Sequence, residues 1–193
     1  MRERILSRVR RALEHRPSPV LPDPLTLPAL SREEAVALFG ERLSSNGGEV
    51  VRLPDLGGAR EWLEGFAQSF SGAAVSRMVP PVLYPDLPPL PPEEAPLGIS
   101  WALGAVAETG TVLLSSREGR HTGLLPPTHL VFVPEEKVYG RLLEALRALK
   151  EDLPSAIGLH SGPSKSADIG QVMVRGVHGP GRLVAALIAE LSD

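Results

Sequence analysis

The chain alternates short apolar runs with longer stretches whose apolar residues recur at helical spacing. "EVVRL" (49–53), "HLVFV" (129–133) and "SAIGL" (155–159) are short runs and read as strands. Ala73 to Ser76 is a further short candidate strand. "ISWALGAVAETGTVLLSS" (99–116) holds two apolar runs around Glu108, Thr109, Gly110 and Thr111. A helix is predicted through Val36, Leu38 and Phe39 to about Leu43. Ser31 precedes it with Glu34 three residues on, the spacing of a capping box, and "NGG" (46–48) supplies left-handed positions to end it. Ala59 to Phe70 is a second predicted helix. Glu135 to Glu151 is a third, through Val138, Leu142, Leu146 and Leu149. "RLVAALIAEL" (182–191) suits a buried strand as well as a helix. Strands alternating with helices imply an α/β fold with a mainly parallel sheet covered on both faces.

"MRERILSRVRRALEHR" opens the chain as an amphipathic helix, with Ile5, Leu6, Val9, Ala12 and Leu13 on one face and arginines on the other. Such a helix can lie on a membrane or dock on an acidic partner. Its stripe is short and weakly apolar, which favours packing on its own domain or on a second copy. Pro17 to Pro28 is a proline-rich tether. The chain therefore divides into an N-terminal helix and tether (1–30) and an α/β domain (31–193). Pro80 to Pro96 is too proline-rich for a helix or a central strand, and is expected to be an ordered loop over one sheet edge.

Composition narrows the classes. The 193 residues are 42% hydrophobic and can bury one sizeable core without metal or disulfide. A net charge of −3 argues against nucleic acid as the main ligand. There is no cysteine, so no thiolate zinc site or cysteine-ligated iron–sulfur cluster is possible in these residues. The histidines do not stand at metal-ligand spacing: a proline-containing turn separates His121 from His129, and His160 lies in another loop. No apolar run approaches the ~20 residues of a membrane span, and no secretory signal is read, so a cytoplasmic protein is expected. Arginine outnumbers lysine, proline is plentiful and Asn46 is the sole asparagine, a bias shared by thermophiles and GC-rich genomes.

Three polar clusters follow apolar runs, and ligands of open α/β sheets bind beyond the carboxyl ends of the strands. In the first, Glu108 could act as base or nucleophile beside Thr109, Gly110 and Thr111, or could be a solvated turn residue. In the second, "SGPSKSADIG" (161–170), Ser161, Gly162, Ser164, Lys165 and Ser166 could hold a small anion or carboxylate with side-chain donors and backbone N–H groups. The bland alternative is a turn and a helix cap, with Asp168 as N-cap and Gln171 as its partner. No Walker A spacing is present. In the third, "GVHGPGR" (176–182), His178 could be a general acid or base, or an exposed turn histidine. All three clusters are expected at one cleft.

Their order and spacing are more specific than any of them alone. "GISWALGAVAETGTVLLSS", "GLLPPTHLVFV" and "SGPSKSADIGQVMVRGVHGPGRL" together closely resemble the lactate-utilization (LUD) domain family, and within it the lactate utilization protein C (LutC) type. "REEAVALFGERLSSNGGEVVRL" is similar to that type as well. The resemblance implies a three-layer α/β/α fold similar to the NagB/RpiA/CoA-transferase superfamily. It implies a role in oxidising L-lactate to pyruvate, with LutA- and LutB-like partners carrying the iron–sulfur clusters and no cofactor in this chain. Glu108, Lys165, Asp168 and His178 carry over as motif positions. Lys165 and Ser166 stand where the family often has Arg and Thr, and Gly170 stands where an acidic residue is usual. The alternatives are a non-catalytic assembly or regulatory subunit and, by fold analogy, a stand-alone enzyme acting on a CoA thioester, sugar phosphate or folate. A homodimer is compatible with each.

Overall fold

The structure, a computed structural model, describes residues 2–14, 28–167 and 173–191. The tether from 15 to 27 and Asp168, Gly170 and Gln171 lie outside them. Helix α1 (Arg2–Glu14) buries none of its residues, and Ile5, Val9 and Leu13 are each about half exposed. The preference for packing on its own domain is therefore not met. The folded body opens at α2 (Arg32–Ser45), where Ser31 and Glu34 form the expected capping box: Glu34 N–H donates to Ser31 Oγ at 3.3 Å and Ser31 N–H to Glu34 Oε2 at 2.8 Å. Gly47 takes φ +88° just beyond its end.

There follow β1 (Glu49–Leu53), α3 (Leu56–Ala67), β2 (Ala73–Val75), β3 (Leu97–Trp101), β4 (Gly104–Val106) and β5 (Thr111–Ser115). Next come α4 (Arg120–Leu124), β6 (Thr128–Pro134), β7 (Val138–Tyr139), α5 (Leu142–Ala148), β8 (Ile157–His160), β9 (Lys165–Ala167), β10 (Met173–Arg175) and β11 (Arg182–Ile188). Among the described residues, five strands form a parallel sheet in the order β1-β11-β6-β3-β2. A second, mixed sheet runs β7-β4-β5-β8, and β9 pairs with β10 as an antiparallel ribbon.

Both faces of the parallel sheet are buried, as its apolar strands require. Leu130, Phe132, Val184, Ala186 and Ile188 face α3 through Ala59 and Leu63. The alternate residues Val131, Val133, Leu183, Ala185 and Leu187 face α2 and the mixed sheet, through Phe39, Leu43, Val112 and Leu114. The outer face of the mixed sheet packs on α5, with Val106 and Leu113 against Ala145. The α/β class with a mainly parallel central sheet is as expected, and one of its covering layers combines a helix with a second sheet.

The segment 182–191, undecided by periodicity, supplies the strand between β1 and β6. The proline-rich loop does cover an edge: Ala73 N–H donates to Pro88 O at 3.1 Å and Leu90 N–H to Ala73 O at 3.0 Å along the outer side of β2. Three expectations are corrected. The helix expected from Ala59 starts at Leu56, because the Asp55 side chain accepts from Gly58 N–H at 2.7 Å. The helix expected over 135–151 is broken, because Val138 and Tyr139 pair with β4 and leave only Leu142–Ala148 α-helical. No helix follows the SGPSKS loop directly: Lys165–Ala167 and Met173–Arg175 are paired strands.

Candidate functional site

Two of the three expected clusters, the ETGT and SGPS segments, meet at one corner built around Asn46, the residue that closes α2. Asn46 Nδ2 donates to Thr109 O at 3.0 Å, and Lys165 Nζ donates to Asn46 O. Thr111 Oγ1 lies 2.7 Å from Thr109 Oγ1 and 2.6 Å from Ser161 Oγ, so three hydroxyls form a continuous chain between the ETGT turn and the SGPS loop. Two glycines permit the approach. Gly110 has φ +61°, and a Cβ there would lie 2.3 Å from Leu43 N. Gly162 has φ +138°, and its Cβ would lie 2.9 Å from Asn46 O. The third cluster backs onto the second: Ser164 N–H donates to Pro180 O at 2.8 Å and Gly176 N–H to Ser164 O at 3.0 Å. His178 itself is exposed, and Ser166 lies in β9 opposite Val174.

Two features of this corner differ from expectation. It sits at the amino ends of the parallel strands, where Arg182 at the head of β11 pairs with Glu49 at the head of β1 at 2.7 Å. The carboxyl-end rule points to the opposite edge. The charged motif residues are also engaged locally. Glu108 Oε1 accepts Leu142 N–H at 3.0 Å, holding the first turn of α5, and Lys165 serves the last turn of α2, where a cation is favoured.

A separate cleft lies between the two sheets and opens toward the carboxyl ends of β2 and β3. Its inner cavity, of about 230 Å3, has Ser100 on one wall and Leu114, Gly158 and His160 on the other. Its outer cavity, of about 520 Å3, reaches Val75 and Arg77, and the two share Ser116, Glu118, Gly119 and Arg120. Behind the inner wall, His129 Nε2 lies 2.9 Å from Ser100 Oγ, and its ring meets that of His160 edge-on at 5.8 Å. Gly123 lines the same cavity, and a Cβ there would lie 3.1 Å from the His129 ring.

The electrostatics of this cleft are unusual. Glu118 is 5% exposed, and burial pushes its carboxyl up to about 7 against a weak opposing hydrogen bond from Trp101 N–H at 3.4 Å. Burial, reinforced by nearby His160, holds His129 down at about 3, so its imidazole is neutral. Burial also lowers His160. His129 Nδ1 is buried without a hydrogen-bond partner among the described residues. A near-neutral carboxyl can give or take a proton at neutral pH. Among the described residues, no group of three or more His, Asp or Glu could hold a metal ion. Sequence inspection misses this cleft. The available signals are a histidine leading an otherwise apolar strand and a glutamate in the "SSREGR" turn, and neither points to the other.

A family model described as LUD domain matches residues 93–188. The chain is 38% identical over 102 residues to lactate utilization protein C 1 of Bacillus mycoides, covering 49% of this chain and 44% of that protein. It is 42% identical over 96 residues to lactate utilization protein C of Halalkalibacterium halodurans, covering 46% and 42% of the two. The Bacillus subtilis protein of that name is 36% identical over 106 residues, covering 51% and 44%. The chain thus spans less than half the length of these curated relatives. The crystal structure of a DUF162 family protein from Deinococcus radiodurans superimposes with a TM-score of 0.60 at 23% identity, over 83% of this chain and 99% of that one. That likeness is one of fold.

Proposed function

Since the chain carries a LUD domain over residues 93–188 and is related to proteins named lactate utilization protein C, we propose that it is a subunit of an L-lactate utilization system that oxidises L-lactate to pyruvate together with iron–sulfur partners. The shared name of the relatives carries this proposal. Chemistry supports the division of labour. Oxidising lactate releases a proton and a hydride equivalent, and electrons leaving in that form need an acceptor. None of the 193 residues is a cysteine that could ligate a cluster, which supports placing the acceptor centres on other, LutA- and LutB-like chains. No helix among the described residues is long and apolar enough to cross a membrane.

One observation favours a second reading, in which the chain is an assembly or regulatory subunit. The motif groups Glu108 and Lys165 hold the ends of α5 and α2, which gives the ETGT and SGPS segments a structural duty. Reconstitution separates the two. Lactate-dependent dye reduction is measured with the iron–sulfur partners alone and with this chain added. A rate that depends on the chain, and falls in Glu108→Gln or His178→Gln variants of unchanged stability, supports the catalytic role. A rate that depends on the chain but not on these side chains supports assembly. Full lactate oxidation by the partners alone overturns the proposal.

A further inference from the structure

None of the ETGT or SGPS residues lines the cleft between the sheets, although His160 on its wall directly precedes Ser161. Arg77 follows β2 and Arg120 opens α4, and both line its outer cavity. Both are exposed, and neither forms an ion pair among the described residues. Arg52, Arg60, Arg117 and Arg182 meet carboxylates, whereas Arg32, Arg42 and Arg147 are exposed and form no ion pair among the described residues; what sets Arg77 and Arg120 apart is that both line one cavity. Glu118 does not neutralise the pair, since its carboxyl is turned to Trp101 N–H and makes no ion pair. Two unpaired guanidinium groups at one mouth leave a positive field over a low-dielectric opening, which attracts and focuses anions.

The inner cavity demands different chemistry. Ser100 is 2% exposed and Glu118 5%, and both line it, together with His160 and the apolar side chains of Leu114 and Ile157. A mostly apolar pocket with a few convergent polar groups suits the body of a small organic molecule. Gly158 keeps it open, since a Cβ there would crowd His160 Nε2 at 3.1 Å. The outer part of the cleft opens at the carboxyl ends of β2 and β3, the edge at which parallel sheets place their ligands.

We propose that this cleft binds a small organic oxyanion, with its anionic group on Arg77 and Arg120 and its body in the inner cavity, where Ser100, Glu118 and His160 meet its polar atoms. The site is independent of the lactate-utilization proposal, which is read by turnover.

The test is calorimetric titration of the full chain with L-lactate, pyruvate and acetate as carboxylates, and with glycerol 3-phosphate as a phosphate ester. Saturable binding is expected, and the probe that binds identifies the anion as carboxylate or phosphoryl. Arg77→Gln and Arg120→Gln should each weaken it about tenfold or more, the scale of a lost charge-assisted hydrogen bond. Both side chains are exposed, so the fold should be unaffected. Ala156→Trp, at an exposed position on the cavity lining, should block binding without changing the melt of the free protein. If that variant misfolds, the arginine variants still decide. Absence of saturable binding by every probe overturns the proposal. So does binding that survives both arginine changes, or that is lost only in Lys165→Ala, which would place the anion at the other corner.

Discussion

Thr111 Oγ1 and Ser161 Oγ, fifty residues apart in sequence, lie 2.6 Å from each other. Thr111 is 5% exposed and also touches Thr109 Oγ1, so its hydroxyl is the shared node of two motifs. Thr111→Val keeps the shape and removes the node. It should cost about 1 kcal/mol, the net worth of a hydrogen bond. In a chain of this length that lowers the melting temperature by about 2–4 °C. Ser161→Ala should cost less, because Ser161 is exposed and Thr111 keeps Thr109 as a partner.

Gly110 and Gly65 should respond to alanine with opposite signs. At Gly110 the new Cβ would meet backbone atoms of Arg42 and Leu43 at 2.6 and 2.3 Å, in a positive-φ conformation. A loss of more than about 2 kcal/mol is expected, because backbone cannot yield as a flexible side chain can. At Gly65, exposed within α3, a Cβ meets nothing within 4 Å, and alanine should stabilise by about 1 kcal/mol. Urea melts of the two variants check both signs.

Glu108 offers a clean separation of roles. Its carboxylate accepts Leu142 N–H at the start of α5. Glu108→Ala should cost about 1 kcal/mol, as for a lost helix cap, whereas Glu108→Gln retains an acceptor oxygen and should cost little. If Glu108→Gln keeps stability but abolishes lactate-dependent turnover in the reconstituted system, the negative charge itself is used in the chemistry.

Stability should depend on pH through two buried groups acting in opposite directions. Glu118 sits at about 7 in the folded chain, above its ordinary range when unfolded. Below that range both states hold the proton. As pH rises toward 7 the unfolded chain releases it first and the fold loses stability, with the loss complete above about 7. Relative to the parent, Glu118→Gln should therefore gain stability progressively across that window. His129, held at about 3, contributes stability above the ordinary histidine value, and that contribution is lost as pH falls below it toward 3. His129→Gln should flatten this acid limb. Chemical denaturation of the parent and both variants across the pH range measures each difference.

Features that depend on neighbours along the chain are legible in the amino-acid sequence alone. The Ser31–Glu34 capping box and the strand 49–53 follow from contacts within a few residues, and the fold contains both. Local pattern fails where a distant partner decides. Val138 fits a helical stripe, yet β4 offers it a strand partner, and sheet pairing overrides the propensity. Leu183–Ile188 is apolar on all sides, a pattern that fits a buried helix and a doubly covered strand equally. Only the slot between β1 and β6 makes it a strand. The meeting of the ETGT and SGPS segments can be anticipated because each announces itself as a polar, glycine-bearing turn after an apolar run. The inter-sheet cleft cannot. Its histidines come from strands of two different sheets, its serine from a third strand and its glutamate from a connecting turn. Each looks ordinary in its own stretch of chain. What makes them unusual is burial beside one another, and burial is a property of two stacked sheets, which no local run of residues encodes.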